Sequence, residues 1–134
     1  MPQIELGPLG ILIARLTVAG FFILAGLNKI INYQATVMRM EDIGLWGELL
    51  PLTILLECVG GLILFIGRGK SLYLLACLAL ALFTLTTNFF FHRFWELNAP
   101  LRQLELSLFF KNLVMSGALI MLMGLQLQSL KRAD

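Results

Sequence analysis

Four uninterrupted apolar stretches decide what this chain folds into: Leu9–Ile31, Leu49–Gly67, Leu72–Phe91 and Leu106–Leu127. A helix needs about 20 residues to cross the roughly 30 Å hydrocarbon layer of a bilayer, and each stretch meets that length. None shows strand-like alternation, and open sheet edges in lipid would leave backbone groups unsatisfied, so all four are read as helices. Pro8 and Pro51 fall in first turns, where a missing N–H is tolerated. Pro100 falls between the third and fourth stretches, where it blocks helix continuation. The fold class is therefore all-α: a polytopic four-helix transmembrane bundle, with residues 1–134 as a single domain.

Composition closes off the soluble alternatives. Charged residues are 13% of the chain against about a quarter in ordinary soluble domains. A globule of 134 residues must put most of them at its surface, and this one lacks the polar residues to do so. A soluble domain, a nucleic-acid binder and a disordered tail are excluded together, and the net charge of +2 is too small to suggest an anionic partner. The first span is not a signal peptide: its leader carries Glu5 where basic residues belong, and no small-residue cleavage site follows. Cys58 and Cys77 sit inside spans, form no C-x-x-C pair, and are read as small hydrophobes at different depths.

With an even number of spans both termini share a side. That side carries Arg68, Lys70, Lys131 and Arg132, and the other carries Lys29, Arg39, Arg93 and Arg102. The tie is broken by Arg68 and Lys70 in a short turn, where basic residues weigh most, which puts both termini in the cytoplasm. The outer loops are then Asn32–Glu48, polar with Tyr33 and Trp46 as interfacial anchors, and His92–Glu105, with Phe94 and Trp95 at headgroup level.

Ionisable residues within spans cost about 2.5–3.5 kcal/mol each on insertion scales and need a reason. Arg15, Glu57 and Lys111 lie inside, and Lys29 and His92 lie at the outer margin with Asn28, Asn88 and Asn112 near them. From the 1.5 Å rise, Glu57 and Lys111 come out level, roughly 8–12 Å deep, and Arg15 roughly 20 Å deep. Helical spacing aligns Arg15, Ala19, Phe22, Gly26 and Lys29 on one face of span one. It aligns Thr53, Glu57, Gly60, Gly61 and Leu64 in span two, and Cys77, Ala81, Thr84, Asn88 and His92 in span three. In span four it selects Lys111, Met115, Ala118 and Leu122, with Asn112 and Ser116 beside them. These faces should turn inward and gather a polar cluster in the outer half.

Two readings of that cluster lead, and a subunit interface that needs the charges is the third. In one, Glu57 is a structural counter-ion to Lys111 or Arg15 and locks the register of the spans. In the other, Glu57, Lys111, Asn112, His92, Asn88 and Lys29 form a small-molecule or proton site. A lone histidine at a membrane margin reads first as an interfacial side chain. No metal site is expected, because histidine, carboxylate and thiols do not fall at ligand spacing. Phe89, Phe90 and Phe91 read as lipid-facing packing, with a stacking surface for a quinone ring as the sharper alternative.

These residues carry a family resemblance. Arg15, Phe22, Ala25-Gly26 and Lys29 resemble the first helix of the DoxX family of small four-helix membrane proteins. Glu57, Gly60-Gly61-Leu62, Leu64 and Gly67 resemble its second helix, and His92-x-Phe94-Trp95 with Phe110-Lys111-Asn112 and Gly117 is similar to its third loop and fourth helix. Ala118 departs from the pattern, where relatives often have a second glycine. The resemblance spans about residues 10–125 and implies a bacterial inner-membrane protein with both termini inside. It also implies a link to quinone-dependent sulfur oxidation or quinol oxidation, the systems in which some members are small subunits.

The function expected is an accessory subunit of a quinone-linked redox system. Lys111, Asn112 and His92 would donate to quinone carbonyls and Glu57 would exchange a proton. A quinone is the one cofactor admitted, and with no electron carrier of its own the chain would need a membrane redox partner. The alternatives are a small transporter or channel centred on Glu57, and a ligand-free scaffold or assembly factor. The bilayer is the expected surrounding, and a homo-oligomer is a further expected partner.

Overall fold

The computed structural model describes residues 6–134, all helix, turn or loop. The leader bearing Glu5 lies outside the described residues. The elements are α1 (Leu6–Ile31), α2 (Tyr33–Asp42), α3 (Leu50–Ile66), α4 (Lys70–Phe91) and α5 (Leu101–Ala133). Single 3-10 turns lie at Gly47–Leu49 and Phe94–Glu96. Helices α1, α3, α4 and α5 are each long and apolar enough to cross a membrane, as the four apolar stretches require.

The helices hold together through small residues. α1 and α3 pack most closely, backbone against backbone. A methyl group on Gly61 would stand 3.0 Å from the Ala19 carbonyl oxygen and 2.9 Å from Ile23 Cγ1. One on Gly26 would meet the Cys58 thiol and come within 3.3 Å of its backbone nitrogen. Lipid tails are as apolar as leucine, so close packing and hydrogen bonds replace the hydrophobic drive as the glue. The core is built from Val18, Ala19, Phe22, Leu64, Cys77, Leu80, Leu119 and Leu122. Both cysteines are free thiols.

Local chemistry sets the element boundaries. Asn32 closes α1 by donating from Nδ2 to the Asn28 carbonyl (3.1 Å) and side-chain oxygen (2.9 Å), and α2 begins at once. Gly44, at φ 81°, lets the chain turn after α2, and Pro51 falls in the first turn of α3. α3 ends on Gly67 at φ 67°, the left-handed cap that side chains disfavour. The space a side chain would fill there is taken by the Arg15 guanidinium.

The structure corrects the sequence reading in two places. Asn32–Glu48, read as a polar loop, contains the ten-residue helix α2, which lies across the end of the bundle beside α1. On α5, Leu122 is buried and Met115 and Ala118 pack against the core as the expected row requires, but Lys111 of that row is not inward. Phe109, Ser116, Leu119 and Leu122 are buried and Asn112 is partly so, whereas Lys111 is exposed. Apolar residues surround α5 on all sides, so its pattern alone does not favour one face over its neighbour.

Candidate functional site

At the α2 end of the bundle the helices enclose a cavity of about 550 Å³. α1 contributes Phe21, Phe22 and Lys29, and α3 contributes Leu50, Thr53 and Glu57. α4 contributes Phe83, Thr84, Thr87, Phe90, Phe91 and the residue after it, His92; α5 contributes Lys111 and Asn112. α2 closes one end with Ala35, Thr36, Arg39 and Met40, which share one helical face. Phe90 on α4 and Lys111 on α5 line the cavity and are also exposed, so it opens on the flank of the bundle. The volume lies within the roughly 300–1,000 Å³ of small-molecule sites.

Glu57 is buried on the cavity wall, and its partner is Lys29. Lys29 Nζ donates to both carboxylate oxygens, at 3.0 and 2.8 Å. The expected pairing of Glu57 with Lys111 or Arg15 is therefore corrected. Lys111 stands exposed at the cavity rim, with its Nζ 5.5 Å from the Phe21 ring centroid. Arg15 lies against Gly67, ten residues or about 15 Å along α3 from Glu57. There its charge meets the negative end of the α3 dipole, and its Nε is buried with no hydrogen-bond partner.

The two asparagines join α4 to α5. Asn88 is fully buried and donates from Nδ2 to the Phe109 carbonyl at 3.1 Å. Its Oδ1 accepts from Asn112 Nδ2 at 3.2 Å. Asn88 is thus a strut behind the cavity, and Asn112 spends one of its two N–H donors on it.

His92 donates from Nδ1 to Glu105 Oε2 at 2.6 Å, since a carboxylate only accepts. A neutral ring so held keeps Nε2 as an acceptor, and a protonated one keeps it as a donor. Sequence spacing gave no sign of this partner, thirteen residues on across a loop. Arg39 was missed too: its guanidinium carbon sits 5.5 Å from the Phe91 ring centroid, fastening α2 to α4. The amphipathic spacing of residues 35, 36, 39 and 40 was the available signal. Of the phenylalanine run, Phe90 and Phe91 face the cavity, and Phe89 packs on Phe109 and Trp95. Among the described residues no group of three or more His, Cys, Asp or Glu is placed to hold a metal ion.

Four membrane-length helices around a flank-opening cavity with charged walls define an integral, multi-pass membrane protein. Comparison with known proteins places it further. The DoxX family model matches residues 10–93, and the chain belongs to that family. It is 38% identical over 121 residues to inner membrane protein YqjF of Escherichia coli (strain K12), covering 88% of this chain and 85% of that one. That relative and the four apolar helices identify a multi-pass inner-membrane protein. No solved structure matches.

Proposed function

We propose that this protein binds the polar head of a lipid-soluble small molecule in its flank-opening cavity, as an accessory subunit of a quinone-linked redox system. The observation that carries the reading is the cavity itself: phenylalanine rings and threonine hydroxyls around Lys111 and His92, open toward the region occupied by lipid. A quinone ring suits such walls, and when bound it supplies two-electron, two-proton exchange. Lys111 is placed to donate a hydrogen bond to a carbonyl oxygen, and Asn112 has a second N–H for the same use. His92, oriented by Glu105, offers Nε2 to a hydroxyl proton. Glu57 is reassigned from proton exchange to holding Lys29 in place. The electron carrier in this reading belongs to a membrane partner.

The charge distribution argues for both termini in the cytoplasm and the cavity in the outer half, with Arg68 and Lys70 in the inner turn. A transporter built on Glu57 would need that carboxylate free to change partners, and its two hydrogen bonds from Lys29 count against this. Native mass spectrometry of the protein released from mild detergent tests the proposal. A retained quinone, lost in Lys111→Met, is the expected result. A species carrying only phospholipid, unchanged by the substitution, would replace the proposal with a ligand-free scaffold.

A further inference from the structure

We infer that the molecule held in this cavity is an anionic amphiphile, whose negatively charged oxygen sits between Arg39 and Lys111. The inference rests on the reading of the cavity as a ligand site and adds the charge of the ligand's head. Three cationic side chains line the cavity, Lys29, Arg39 and Lys111, against one carboxylate, Glu57. Lys29 and Glu57 neutralise one another. The other ion pairs among the described residues join His92 to Glu105 and Arg93 to Glu96. Among the described residues Arg39 and Lys111 thus have no carboxylate within salt-bridge distance.

Each of the two rests on a phenyl ring of the same cavity: Arg39 over Phe91 and Lys111 over Phe21, both 5.5 Å from the ring centroid. A ring face attracts a cation more weakly than an anionic oxygen does at low dielectric. An arriving anion therefore gains two charge-assisted partners without breaking an ion pair. Arg39 comes from α2 and Lys111 from α5, and Phe83 and Phe90 of the same cavity offer apolar surface to the chain of such a molecule. The net charge of +2 concealed this, because acids elsewhere offset the local excess. A single-chain acid and the headgroup of an anionic phospholipid share the required chemistry. The redox-linked form of the same chemistry is an acidic hydroxyl on a lipid-soluble ring.

The experiment uses the full chain in nanodiscs of uncharged phosphatidylcholine. Four probes are titrated separately: a sixteen-carbon carboxylate above its ionisation pH, its methyl ester, phosphatidylglycerol, and a neutral benzoquinone with a decyl tail. The carboxylate should bind and the ester should bind roughly tenfold or more weakly, with a similar loss in each of Arg39→Gln and Lys111→Met. Lys111→Arg should retain binding, and Arg68→Gln, outside the cavity, should leave it unchanged. Phosphatidylglycerol binding in place of the single-chain acid, with the same response to the variants, supports the anionic head and assigns it to the bilayer lipid. Equal binding of ester and carboxylate overturns the inference. So does binding of the neutral quinone alone, lost in Lys111→Met and indifferent to Arg39→Gln, which leaves the ligand-site reading standing. If no probe binds, both fall.

Discussion

Lys29 reaches into the bundle to meet Glu57, against the usual habit of a lysine near a helix end. It lies two residues from the end of α1, about 3 Å in, and Glu57 lies seven residues into α3, about 10 Å in. Lysines at such positions normally extend toward the headgroups. Here the stem turns the other way, and the ammonium is held by both carboxylate oxygens. The seam between α1 and α3 is thus closed by Gly26 and Gly61 along its length and by this pair near the α2 end.

Removing either partner should strand a charge. Glu57→Gln or Lys29→Met alone is expected to destabilise the bundle by about 3 kcal/mol, and the double variant by less than the sum. Lys111→Met, which strands nothing, should change stability little. Denaturant unfolding in detergent with two double-mutant cycles checks this: coupling is expected for 29 with 57, and near zero for 57 with 111.

Gly61 has no room for a side chain against the α1 backbone. Gly61→Val should part α1 from α3 at a cost of about 1–3 kcal/mol. Gly117→Ala, where nothing lies within 4 Å, should be neutral or mildly stabilising. Thermal denaturation of the two variants side by side separates packing from a general intolerance of substitution.

Asn88→Leu removes both hydrogen bonds between α4 and α5. Side-chain hydrogen bonds inside membranes average about 0.6 kcal/mol and reach about 1.7, so a loss of about 1–3 kcal/mol is expected. Hydrogen exchange near Phe109 should rise locally, because its carbonyl loses its side-chain donor.

His92 is the single histidine of the chain, so its nitrogen resonances need no assignment. Solid-state ¹⁵N spectra should show a proton on Nδ1, directed at Glu105. In Glu105→Leu the tautomers should mix. An unchanged spectrum in that variant would remove Glu105 from the role of orienting residue.

The spans were legible because transmembrane helices announce themselves by length, and the inward faces of α1, α3 and α4 followed from small and polar residues at helical spacing. Ala19, Phe22, Gly61, Cys77 and Asn88 are buried as that spacing requires. α2 was not legible, because a ten-residue polar helix followed by Gly44 and Gly47 resembles a loop. The partner of Glu57 does not follow from backbone depth, because a lysine stem carries its charge well away from its own Cα. Spacing puts Lys111 in one row with the buried Leu122, and only the packed bundle shows that the row leaves Lys111 exposed while Phe109, Ser116 and Leu119 beside it are buried. The His92–Glu105 bond depends on the path of a loop, which no periodicity encodes.

Because the cavity opens on the flank of the bundle, a ligand of the proposed kind reaches it by diffusing within a leaflet and never has to enter water. Its occupancy would then follow the mole fraction of ligand in the bilayer, not an aqueous concentration. Diluting the membrane with inert lipid would empty the site, and diluting the buffer would not.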